Sequence, residues 1–131
     1  MFSVLQPLEK ERVRQMNPVV LAFVGDAAYT LYVRQKLVSE SGYKTGELNK
    51  RASAVVSAHG QSDLLERILP QLTEEEADIY RRGRNAKKPT KSKNASPAEY
   101  NRSTGLEAVI GYLYLTGDID RIDHLFFGGE S

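Results

Sequence analysis

A chain of 131 residues fits one domain and is long enough to bury a core. Apolar residues make up 40% of it and charged residues 27%, ordinary proportions for a globular domain in water. It has no cysteine, which excludes a disulfide framework, a thiolate zinc site and a cysteine nucleophile. Its two histidines, His59 and His124, exclude a three-histidine metal site within one chain. The net charge of +1 hides a segregation: residues 79–98 contain no acid and seven bases, which leaves eleven bases and seventeen acids elsewhere, a net of −6. A mildly acidic body with one basic segment points to a polyanion met at one place.

Helix signals follow one another along the chain. The opening MFSVLQPLEKER has no basic start leading into a long apolar stretch, so it does not read as a signal peptide, and its first six residues read as a loose tail. Asn17-Pro18 is an N-cap followed by proline at the first helical position; it opens a helix that stops near Ser41-Gly42. A second helix is expected from Thr45 to His59-Gly60, and a short third, capped by Ser62, ends at Pro70. Thr73 with Glu76 forms a capping box, with the Glu74-Glu75-Glu76 run suited to a helix start. Arg84–Ala95 reads as one long basic loop. Ser96-Pro97-Ala98-Glu99 is another capping box, followed by a helix over roughly Thr104–Leu115 that Gly117 stops; Asp118 can cap the last helix, and Gly128–Ser131 reads as a tail. No run alternates with period two, and no Asn-Gly or Asp-Gly turn joins apolar strands. The longest apolar run, Ala108–Leu115 with Gly111 included, is far short of the ~18 residues that mark a membrane span. The expected fold is all-α, a single-domain helical bundle over residues 1–131, in a soluble cytoplasmic protein.

Two acids sit where apolar residues are expected. Asp26 interrupts LAFVGDAAYTLYV and Glu107 interrupts TGLEAVIGYLYL, each beside a glycine and an alanine that permit close approach. An ionised carboxylate in such surroundings is costly unless something compensates it. Two such carboxylates on facing helices can hold a hard divalent cation through oxygen, and that ion can activate water and stabilise a phosphoryl oxygen. The plainer alternative is an exposed acid beside an apolar stripe, or a partner for a buried arginine. For the basic segment the alternatives are a solvated linker and a phosphate-contacting surface; the absence of any acid among its residues favours the second. His59 and His124 lack partners at metal-ligand spacing and read as structural or surface residues. Tyr29, Tyr32, Tyr112 and Tyr114 lie at helical core spacing and read as packing. The stripe Val20, Phe23, Ala27 and Leu31 is broader than packing within a small monomer needs, which points to a dimer with Phe23 as its anchor.

Leu21–Arg34 resembles the signature helix of the ribonuclease III family, and Ser103–Asp118 resembles that family's second acidic helix. The two stand in the family's order, and the likeness spans about Asn17–Phe127. Two upstream glutamates of the usual motif fall here on Val19 and Ala22, and the aspartate before the second glutamate falls on Thr104; a further acid falls near Thr45 or Glu47. A catalytic domain without the double-stranded-RNA-binding appendix resembles the mini-ribonuclease III branch. The resemblance implies a homodimeric endoribonuclease cleaving double-stranded RNA with Mg²⁺, for which Mn²⁺ can substitute. It implies maturation of the ends of the large-subunit (23S) ribosomal RNA precursor, with a ribosomal protein as helper. It carries Asp26 and Glu107 over as the catalytic, metal-associated acids. Arg81, Arg82, Arg84, Lys87, Lys88, Lys91 and Lys93 are the expected RNA contacts. The rival is a non-catalytic RNA-binding or ribosome assembly factor on the same fold; a protein-interaction module without an RNA role would leave the basic segment unexplained.

Overall fold

The computed structural model describes residues 6–40, 42, 44–87, 96–126 and 128, with only the backbone described at 58 and 59. Among the described residues seven α-helices follow in order: α1 (Lys10–Arg14), α2 (Pro18–Glu40), α3 (Thr45–Val56), α4 (Ala58–Ile68), α5 (Glu74–Asn85), α6 (Pro97–Leu115) and α7 (Ile119–Phe126), with a 3₁₀ turn, Leu69–Gln71, after α4. No strand occurs among the described residues, so the all-α expectation holds. No helix among them is long and apolar enough to cross a membrane.

The local stop and start signals act as read. Asn17 accepts from the Val19 amide at 2.8 Å. Both capping boxes close reciprocally, Thr73 with Glu76 and Ser96 with Glu99. Gly117 adopts φ +79°, a left-handed conformation that ends α6.

Four boundaries differ from the sequence reading. The helix α1 was not expected; it is held from outside, because Arg82 of α5 donates to the carbonyls of Arg14 (2.7 Å) and Met16 (3.1 Å) that its end leaves open. The helix expected from Thr45 to Gly60 breaks at Ser57, whose hydroxyl accepts from the Gly60 amide at 3.1 Å and so starts α4. Ser57, not Ser62, is the cap. The helix after the second capping box is continuous from Pro97. Finally α5 runs through Asn85, so Arg84 belongs to a helix and the loop begins later than position 84.

Helix α6 is the axis of the bundle, packing against α1, α2, α4, α5 and α7. From Ser103 to Leu113 every residue but Glu107 is buried, which is why this stretch lacks a polar face. Its closest neighbour is α2. A Cβ on Gly25 would collide with the Glu107 carbonyl oxygen, and one on Gly111 with that of Leu21, so the two backbones meet only because both positions are glycine. Leu21, Tyr29, Val33, Ile79, Leu106, Ile110, Ile122 and Leu125 fill the core around this crossing. Tyr29 and Tyr112 are buried, and Tyr32 and Tyr114 pack against the core from its edge, as their spacing implied.

Candidate active site

The Gly25–Gly111 crossing decides where the site lies. Gly25 precedes Asp26, and the atom nearest to Gly25 belongs to Glu107. The two out-of-place acids therefore face each other across the α2–α6 contact, near enough for the Asp26 charge to act on the Glu107 carboxyl. Asp26 lies at the exposed rim, whereas Glu107 is half-buried. Burial pushes the Glu107 carboxyl up to about 8; the Asp26 charge adds to the rise, and a hydrogen bond from Gln61 works against it. Among the described residues no ion pair reaches either acid.

A buried network surrounds Glu107. The Gln61 side-chain amide donates to Glu107 Oε2 at 3.3 Å and to the Val56 carbonyl at 2.9 Å. Its own oxygen accepts from the Ser103 hydroxyl at 2.5 Å. Ser103 and Glu107 are one turn apart on α6, so Gln61 from α4 bridges two positions of one helix face. Nearby, Tyr29 meets Phe126 edge-on with centroids 6.2 Å apart. Burial pushes its hydroxyl up to about 12, with Arg67 opposing and Glu107 adding to the shift.

The remaining family positions supply no acid. Val19 is half-buried and Ala22 buried; Thr104 is buried, its hydroxyl donating to the Tyr100 carbonyl at 3.0 Å. Glu47 pairs with Arg51 at 2.9 Å on the exposed face of α3. No cluster of three or more His, Asp or Glu side chains exists among the described residues. The donor set nonetheless fits a hard cation: two neighbouring carboxylates, one of them half-buried, without a counter-ion among the described residues, would be relieved by a positive charge. With so few protein ligands, water and phosphate oxygens would complete the shell, as Mg²⁺ tolerates better than most ions.

The expected RNA contacts divide. Arg81 is exposed and pairs with Asp78, Arg84 lies over the Tyr80 ring at 5.6 Å, and Lys87 is exposed. Arg82 is different: its two bonds to backbone carbonyls make it a structural tie rather than a phosphate contact. Lys88, Lys91 and Lys93 lie outside the described residues. So does the side chain of His59, while His124 is exposed on α7. Phe23 is 80% exposed, in line with Val20, Ala27 and Leu31, all of them exposed. Two residues missed in the sequence stand out. Gln61 carries the network just described. Arg102, on α6, reaches Ser62 at 3.2 Å and lines, with Tyr80, Arg84, Asn85 and Asn101, an open basic groove at the α5–α6 end. Nothing local in the sequence marked either.

The family of this helical bundle is shown by comparison with known proteins: the ribonuclease III domain family matches residues 19–118. The chain belongs to that family and is an endoribonuclease of its type. Among its relatives it is 43% identical to the mini-ribonuclease 3 of Thermoanaerobacter sp. over 118 residues, covering 90% of this chain and 83% of that one. It is 46% identical to the mini-ribonuclease 3 of Brevibacillus brevis over 106 residues, 81% and 79% of the two chains. A Fusobacterium nucleatum protein of known crystal structure superposes with a TM-score of 0.79 at 34% identity, over 88% of this chain and 92% of that one. The non-catalytic rival is thereby set aside.

Proposed function

We propose that this endoribonuclease cleaves double-stranded RNA at the Asp26–Glu107 pair with Mg²⁺, Mn²⁺ being able to substitute. The observation that carries the reading is the pair itself: two carboxylates brought face to face by a glycine–glycine helix crossing, Glu107 half-buried and Asp26 at the rim, with no basic residue among the described ones paired to either. A bound divalent cation would supply Lewis-acid activation of water and charge neutralisation at a phosphate. The protein's own part is to hold both carboxylates on rigid helices, partly shield Glu107 from water, and bring the duplex to them. Arg81, Arg84 and Lys87, with Lys88, Lys91 and Lys93 further along the basic segment, grip phosphates; the shape of an A-form duplex, not its sequence, is what such cations can read.

The exposed stripe Val20, Phe23, Ala27 and Leu31 supports a homodimer. Phe23 is three residues before Asp26, so the interface would adjoin the site, and two-fold symmetry would present one site to each strand. Sedimentation should give about twice 14.7 kDa, and Phe23→Asp should give the monomer; a monomer that still cuts both strands would remove this part. As natural substrate the family resemblance supports the ends of the large-subunit ribosomal RNA precursor in the cytoplasm, with a ribosomal protein as helper. The test of the reading is incubation with long double-stranded RNA, with and without Mg²⁺. Cleavage only with the cation, and only of duplex, is expected; cleavage equal in excess chelator would overturn it.

A further inference from the structure

We infer that Gln61 is a positioning residue for Glu107: its buried amide, fixed at both ends, sets the orientation of that carboxylate toward the cation. This rests on the metal-assisted reading of the Asp26–Glu107 pair.

The direction of the amide follows from its partners. Gln61 is 1% exposed, so each of its polar atoms must find a partner inside the protein. The Val56 oxygen is a carbonyl and can only accept, so the end of the amide facing it at 2.9 Å must be the NH₂. The other end, facing Ser103 Oγ at 2.5 Å, is then the oxygen, and the Ser103 hydroxyl donates to it. One N–H remains, and it points to Glu107 Oε2 at 3.3 Å. Flipping the amide would set two oxygens together at Val56 and again at Glu107. Gln61 is therefore held as a donor to Glu107, which favours the ionised carboxylate a hard cation requires.

The backbone is arranged for this. Val56 is the last residue of α3, where a carbonyl lacks a partner within its own helix. The break at Ser57 frees that carbonyl and places Gln61 on the first turn of α4. Had α3 continued to Gly60, the carbonyl would be engaged and the amide could turn either way. Among the described residues no buried side-chain polar atom is left without a partner, so the network is closed.

The test replaces Gln61 by methionine, similar in length and without hydrogen bonds. Binding of Mn²⁺ alone, without RNA, is measured by calorimetry. Single-turnover cleavage and duplex binding in Ca²⁺ are measured on the same preparation, together with melting. The expected result is a roughly 10–100-fold weaker Mn²⁺ affinity and a lower cleavage rate, with duplex affinity unchanged, the size of effect typical when a residue orienting a metal ligand is lost. Mn²⁺ affinity within twofold of the parent in folded protein would overturn the inference. Should Gln61→Met not fold, Ser103→Ala decides: it leaves Gln61 in place but releases one end, and a several-fold weaker Mn²⁺ affinity supports the role whereas parent-like affinity refutes it. If the parent itself binds no Mn²⁺, the underlying reading fails instead.

Discussion

Two glutamates of this fold are held in opposite ways. Glu76, 4% exposed, is gripped by Arg121 through two hydrogen bonds of 2.9 and 2.8 Å, and its carboxyl also closes the capping box with Thr73. Burial works against its charge, but these bonds outweigh it and hold Glu76 below the usual carboxylate range. Glu107 has a second acid for a neighbour and is pushed the other way, to about 8. The first arrangement is complete and ties α5 to α7 and, through the Gln71 carbonyl, to the 3₁₀ turn. The second has no such counter-charge among the described residues, and on the proposed reading a cation supplies it. An acid that the fold compensates is scaffold; a pair left without a compensating base is the proposed site.

The largest expected effect separates the two directly. Asp26→Asn removes charge and keeps shape, so cleavage should fall by orders of magnitude while duplex binding survives and metal-free stability holds or rises. Glu107→Gln should behave alike, and the double variant should be little worse than either, because the two act as a unit. Glu76→Ala should do the reverse: a loss of about 2–3 kcal/mol, below the full cost of a buried pair because Arg121 can reach water, with activity per folded molecule kept. Urea melts and cleavage rates on the same samples check both, and a swap of the two phenotypes would break the comparison.

Acidity sharpens it next. The folded chain keeps a proton on Glu107 between its ordinary value of 4.5 and about 8, where the unfolded chain has released it. That contribution to metal-free stability is full below the lower value and is lost as pH rises through the upper one. Glu76, lowered, contributes the opposite way: its stabilisation is present above the ordinary carboxylate range and lost as pH falls through its folded value. Melting in chelator from pH 5 to pH 9 should therefore show a decline from pH 5 that levels off near pH 8, which Glu107→Gln flattens and Glu76→Ala leaves in place.

The same division applies, more weakly, to the cations. Replacing Arg81, Arg84, Lys87 and Lys88 by alanine should reduce RNA affinity and flatten its salt dependence, by roughly one unit of log–log slope or less for each phosphate no longer gripped, with melting unchanged. Arg82→Ala should lower the melting temperature and leave the salt slope alone, since its partners are the Arg14 and Met16 carbonyls. Filter binding at several salt concentrations distinguishes the two.

What was legible in the sequence is what a few neighbouring residues decide. Asn17-Pro18, Thr73 with Glu76, and Ser96-Pro97 with Glu99 are local signals, and all three cap helices, although the last helix starts at its cap rather than near Thr104 as expected. Asp26 and Glu107 were visible because each breaks an apolar pattern, and the motif order paired them. The α3–α4 boundary was misplaced because Gly60 looked like a helix stop. It is instead a glycine in the first turn of α4, where a Cβ would strike the Ala54 and Val55 carbonyls. The roles of Arg82 and Gln61 were hidden because their partners lie 66 and 68, and 42 and 46, residues away in the chain. Only the folded crossing of helices puts those groups together.

The most direct test of the site is metal-linked melting without RNA. A cation that binds the folded pair and not the unfolded chain must raise the melting temperature by mass action. At pH 7.5, adding Mn²⁺ or Mg²⁺ should raise the melting temperature of the parent, and of Glu76→Gln from its lower baseline, in a saturable way. Asp26→Asn and Glu107→Gln should show no such rise. A rise of equal size in all four proteins would contradict the assignment of the cation to Asp26 and Glu107.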